Sequence, residues 1–128
     1  MGQVSVEVVI TGRRSARVRF VVDTGATYTV IPPALARRIG AVASRHTFSV
    51  SLADGRKRRL HACTVGIRVA RREGPATALI LPGAEPLLGV ETLEALGLKV
   101  DPSRGRLEPS RALGVMLVGV RLRARTKG

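Results

Sequence analysis

The sequence predicts an all-β domain carrying one or two short helices, and three observations point there. Apolar residues make up 45% of the 128-residue chain but aromatics only 2%, so the core must be built from Val, Leu, Ala and Ile, a set that suits strands. Most apolar stretches are short, alternate with polar residues, and end on Gly, Pro or Asp turn signals. Only two stretches carry helical spacing, and each is short and closed by glycine.

"QVSVEVVI" alternates and then runs apolar, giving a strand over Gln3–Ile10. The turn "TGRR" sends the chain back through "SARVRFVV", Ser15–Val22, as a hairpin. "TYTVI" is a third short strand. In "PPALARRIG", proline at the start and Gly40 at the end punctuate a short helix. "HTFSVSL", His46–Leu52, alternates as a strand. The Asp54-Gly55 pair is a strong hairpin signal and turns it into the long strand "RRLHACTVGIRVA". "ATALILP" is another strand and "PGAEP" a loop. "LLGVETLEALGL" begins apolar, takes helical spacing at Val90, Leu93 and Leu96, and closes on Gly97. "LKVDPSRGRLEP" is a short hairpin whose turn Asp101 caps. With no long linker and no low-complexity block, the chain reads as one domain with room for a real core.

Several function classes lose ground on composition. No apolar run reaches the ~18 residues needed to cross a bilayer. No charged segment followed by an apolar one opens the chain as a secretory signal would. The expectation is a cytoplasmic protein without a membrane span. Cys63 is the only cysteine; it allows no internal disulfide, lacks zinc-ligand spacing, and reads as a small buried hydrophobe in a strand. No metal or cofactor is expected. The net charge of +13 raises the reading of a basic nucleic-acid-binding β-domain. Against it, Phe20, Tyr28 and Phe48 are the whole set of aromatics available for stacking. The arginines are dispersed, apart from "GRKRRL" and the terminal "VRLRARTKG". A solvated basic surface is the simpler account, and no nucleic-acid partner is expected.

One stretch does not fit a plain core. In "FVVDTGATYTVIP" an apolar run stops at Asp23 and a second begins almost at once. A carboxylate between two buried strands costs several kcal/mol, roughly, unless something solvates or pairs it. An approximate internal symmetry surrounds it. Twice, an apolar strand leads to a glycine-containing turn and then a short helix: "RFVVDTGA…VIPPALARRIG" and "TALILPGAEPLLGVETLEALG". Only the first copy carries an aspartate at its turn.

These residues resemble the active-site loop of the aspartic proteases, specifically the single-lobe retropepsins and their prokaryotic-type members. Four features agree in order along the chain: Asp23-Thr24-Gly25-Ala26 after an apolar strand, a flap-like hairpin "SLADGRKRRL", the hydrophobic-hydrophobic-glycine element "LLG" at Leu87–Gly89, and the helix-and-hairpin "VETLEALGLKVDPSRGRL". The likeness spans roughly residues 3 to 109 and implies a closed acid-protease β-barrel over residues 1–109. It also implies an aspartic endopeptidase acting on peptide or protein substrates. Asp23 is then the catalytic acid, with Thr24, Gly25 and Ala26 supporting it. Leu88 and Gly89 pack beneath the loop, and Asp54 and Gly55 sit in the substrate-binding flap.

Such chemistry needs two carboxylates around one water, with split apparent pKa values that belong to the pair. None of the other eight acidic residues stands in a second Asp-Thr-Gly context. The expected partner is therefore Asp23 of a second copy, across the twofold axis of a homodimer. In the family the threonine of this motif bonds across that axis, which would be Thr24. The flap departs from the family: it lacks the glycine-rich tip of the viral enzymes, and Lys57, Arg58 and Arg59 make it cationic. That charge would favour acidic or polar residues in a substrate that touches those side chains; the alternative is that they face solvent. The extension at 110–128, with its apolar "LGVMLVGV" and basic end, has three readings: an added dimer-interface strand, a segment packed on its own protomer, or a basic tail. Beside the protease stands a second reading, a non-catalytic dimerisation or peptide-binding module that keeps the fold.

Overall fold

The computed structural model describes residues 3–110; the extension beyond them, with its three readings, lies outside the described residues. The described chain runs β1 (Val4–Thr11), β2 (Ser15–Val22), β3 (Thr29–Ile31), α1 (Pro33–Ile39), β4 (Thr47–Ser51), β5 (Lys57–Val69), β6 (Arg72–Ile80), β7 (Leu87–Leu88), α2 (Val90–Leu96), β8 (Leu98–Asp101) and β9 (Arg106–Pro109). The architecture is all-β with two short helices.

Seven strands form one sheet in the order β1-β2-β7-β3-β6-β5-β4, and an extra pairing of β1 with β5 brings the sheet round on itself. β4 hangs outside that ring, paired only with β5, and β8-β9 is a separate hairpin. The curl follows from alternation. In β2, Ala16, Phe20 and Val22 point inward while Arg17 and Arg19 stay outside. Phe20, Ile10, Ile31, Ile39, Ile67 and Leu88 are fully buried and belong to one core that joins the sheet to both helices. A smaller cluster of Leu60, Ala62 and Leu79 lies apart from it, with Val30, Val50 and Leu81 against it.

Both helices end as expected, on glycines in the left-handed region, Gly40 at φ 67 and Gly97 at φ 69. The first is also held from outside: the Arg14 guanidinium donates to the carbonyls of Arg38 and Arg37 at 3.0 and 3.1 Å. Both carbonyls lie in the last turn of the helix, where a cation is favoured, and that of Arg37 also accepts from the Gly40 N–H at 3.1 Å.

Two boundaries differ from the sequence expectation. β6 begins at Arg72, earlier than "ATALILP", because β5 and β6 join through a tight turn at Ala70 and Arg71, both at positive φ (49 and 64). Such turns normally announce themselves with Gly or Asn, and neither is present. Pro75 sits inside this strand where β3 does not reach, since β3 pairs only with Ala78–Ile80. The third strand is shorter than "TYTVI" because Thr27 and Tyr28 belong to the preceding loop.

Candidate active site

Asp23 stands at the end of β2, where the ladder passes to β7. Val21 and Val22 pair in parallel with Leu87 and Leu88, and the Asp23 N–H donates to the Leu88 carbonyl at 3.0 Å. The chain then turns sharply. The Ala26 N–H returns to the Asp23 carbonyl at 3.1 Å, and the Gly25 N–H donates to Asp23 Oδ1 at 2.8 Å. That last bond aims the carboxylate. A Cβ at Gly25 would lie 3.2 Å from Oδ1, tight enough to push the carboxylate from this position. Asp23 is half-buried, and Thr24 is exposed at the tip of the loop.

The second strand-turn-helix unit braces the first. α2 has no side-chain N-cap; instead its Val90 and Glu91 N–H groups donate to the carbonyls of Ala26 and Thr27 at 2.8 and 2.9 Å. The donors left over at a helix start are thus satisfied by the Asp23 loop itself. Gly89 makes this possible. A Cβ on it would fall 2.4 Å from the Tyr28 carbonyl carbon, so the backbones touch only with glycine there. Beneath them, two buried threonines meet. Thr29 Oγ1 and Thr92 Oγ1 lie 2.6 Å apart, and Thr29 Oγ1 also accepts from the Gly89 N–H at 3.2 Å.

Asp23 opens into a cleft of about 800 Å³ that runs under the β4–β5 hairpin. Gly25, Ala26 and Tyr28 line it on the loop side, and Ser49 through Asp54 on the hairpin side. Val30, Leu60, Leu79, Leu81 and Leu87 make apolar walls. The hairpin tip is tied by Leu52 N–H to Arg56 O at 2.8 Å and Gly55 N–H to Leu52 O at 2.9 Å, with Gly55 at φ 85. Asp54 fixes the turn from the side: Oδ1 accepts from the Arg56 N–H and Oδ2 from Arg56 Nε, both at 2.9 Å. Those bonds, the backbone one first, hold its carboxyl below the usual value.

The expected residues therefore separate into groups. Asp23, Gly25, Ala26 and Asp54 line one cleft, and Leu88 and Gly89 are buried under the loop. Thr24 and Gly55 do not line the cleft; they occupy the loop tip and the hairpin tip. The cationic run behaves as the solvent-facing alternative describes. Lys57, Arg58 and Arg59 are exposed, none lines the cleft, and Arg59 bonds back to Thr47. Thr29 and Thr92 escaped the sequence reading, although a threonine at an inward position of "TVI" is the kind of buried polar residue that must find a partner.

Two other titratable side chains, Asp101 and Cys63, lie outside the cleft. Asp101 accepts from Ser103 Oγ, the closest at 2.6 Å, and from the backbone of Ser103 and Arg104, and these bonds hold it below its usual value. It caps its own turn as expected. Cys63 is buried in β5, and burial pushes its thiol up, away from reactivity. No helix among the described residues is long and apolar enough to cross a membrane.

Comparison with known proteins adds two findings. The family model described as aspartyl protease matches residues 6–92, a span that holds the first strand-turn-helix unit, the β4–β5 hairpin and the second unit as far as the first turn of α2. Among solved structures, the fold is similar to that of the EIAV protease complexed with the inhibitor HBY-793. The TM-score is 0.64 and the identity 20%, over 78% of this chain and 93% of that one, a likeness of fold alone. No curated protein matches the sequence significantly.

Proposed function

This chain belongs to the aspartyl protease family, and we propose that it is an endopeptidase whose catalytic pair is Asp23 of one protomer and Asp23 of an identical partner. The observation that carries the reading is a single half-buried carboxylate, oriented by the Gly25 N–H, at the foot of a cleft roofed by a hairpin. One Asp23 carboxylate, ionised, takes a proton from a water as that water attacks the peptide carbonyl carbon. The other, protonated, hydrogen-bonds the carbonyl oxygen and gives it the proton. Like charges about 3 Å apart do not ionise together, which is what lets two identical groups take opposite roles. In this reading Thr24, exposed at the loop tip, bonds its counterpart across the axis. Asp54 and Gly55 shape the hairpin tip that closes over a bound peptide.

The test is cleavage of an unfolded protein mixture at mildly acidic to neutral pH, with and without a peptide-mimic inhibitor such as pepstatin. Wild type should cleave and be inhibited. Asp23→Asn should fold and not cleave. Near-wild-type cleavage by Asp23→Asn would remove the assignment. A wild type that binds peptides yet never cuts them would favour the non-catalytic module.

A further inference from the structure

The cleft has a charge opposite to that of the protein. The chain carries +13, yet the cleft is lined by three of its nine acidic residues, Asp23, Asp54 and Glu85, and by no Lys or Arg of the described residues. Two of the three are already engaged: Asp23 accepts from the Gly25 N–H, and Asp54 is held by Arg56. Glu85 is not. It is exposed and joins no ion pair or hydrogen bond among the described residues. Its place is nonetheless fixed. It precedes Pro86, which biases it to extended backbone, and the Pro86 carbonyl accepts from the Val21 N–H at 3.0 Å, on the strand that ends at Asp23. Around it the cleft walls are aliphatic, from Leu81, Ala84 and Leu87.

We propose that Glu85 is a specificity-determining residue of this cleft, selecting a substrate side chain with an aliphatic stem and a cationic head, lysine or arginine. This rests on the reading of the cleft as a peptide site. The stem would lie along the leucines, and the head would reach the carboxylate, the usual division of a long basic side chain between apolar wall and polar partner. The sign reverses what the cationic flap suggests. Arg58 shares a strand face with Leu60 and pairs with Val50, but it does not line the cleft, so the charge a bound peptide meets is acidic.

The experiment uses peptide pairs that differ only in charge, lysine against norleucine and arginine against citrulline, placed in turn at each position around the scissile bond. At one position wild type should favour the cationic member by about fivefold in kcat/KM, the upper range for an ion pair open to solvent. The ratio should fall with added salt. In Glu85→Gln it should fall to near one, and Glu85→Lys should favour glutamate over glutamine at that same position. Arg58→Gln should leave the ratio as it is. Binding of the same pairs to the Asp23→Asn protein gives the preference without turnover, which separates this inference from the protease assignment. No cationic preference at any position, one that survives in Glu85→Gln, or loss of all peptides alike in that variant would overturn it.

Discussion

The two strand-turn-helix units differ in one respect that matters. In the first, β2 leads into Asp23 and the turn Thr24-Gly25-Ala26 stands clear of the core, with the carboxylate facing a cleft. In the second, β7 ends on Leu88 and passes to Gly89, both buried, and its helix donates two N–H groups into the first turn. The same local pattern is used once to present a reactive group and once to hold that group still. A carboxylate that must not drift is better set by backbone bonds from a neighbouring rigid element than by its own loop.

The largest effects should separate the two units. Asp23→Asn, in the presenting unit, should abolish cleavage while leaving the urea unfolding midpoint within error. Gly89→Ala, in the bracing unit, should do its damage to stability. Its Cβ would meet backbone at Tyr28 that has no rotamer to give way, a destabilisation of about 3 kcal/mol or more, at the top of the overpacking range. An alanine variant as stable as wild type would mean that the units are not in the contact described.

Thr29→Val is a finer cut. It keeps the shape but removes the partner of Thr92 Oγ1 and of the Gly89 N–H. Leaving buried polar groups unpaired should cost about 1–3 kcal/mol. Activity should fall too, because the Asp23 loop loses its footing. Thr92→Val in the same background should recover part of that loss, since both hydroxyls are then gone. A strictly additive double mutant would show that the two threonines do not act together.

The smallest effect lies outside both units. Asp101 is held below the usual carboxylate range by the Ser103 hydroxyl first and then by backbone donors. A depressed carboxylate contributes stability that is present above its unfolded pKa and lost as pH falls through the folded one. Asp101→Asn should therefore narrow the gap between neutral and acid unfolding midpoints, with wild type and variant converging only once pH has fallen through the lowered folded value. Cleavage at neutral pH should not change.

What the sequence disclosed, and what it concealed, follows the range of the interactions. Hairpins such as β1-β2 and β8-β9 are local and alternate cleanly, so their registers follow from pattern and turn. The parallel pairings of β2 with β7 and of β3 with β6 join segments far apart in sequence, and no local pattern announces them. Asp23 was legible because a carboxylate interrupts an apolar run. Thr29 and Thr92 were not, because each is ordinary alone and acquires meaning only at 2.6 Å from the other. The charge of the cleft was hidden for a related reason. "GRKRRL" advertises a cationic flap, but which side chains face the cleft depends on how the hairpin lies over it.

The central claim is that one chain holds half of a catalytic pair. Its most direct test mixes wild-type and Asp23→Asn chains at fixed total concentration, after exchange of subunits, and follows cleavage against the fraction of wild type. If the site needs Asp23 from both protomers, activity should fall as the square of that fraction, since only wild-type pairs are competent. A linear fall would contradict the account: each chain would then work alone, and the second carboxylate would have to be sought within it, first at Glu85, the unengaged acid that shares the cleft with Asp23.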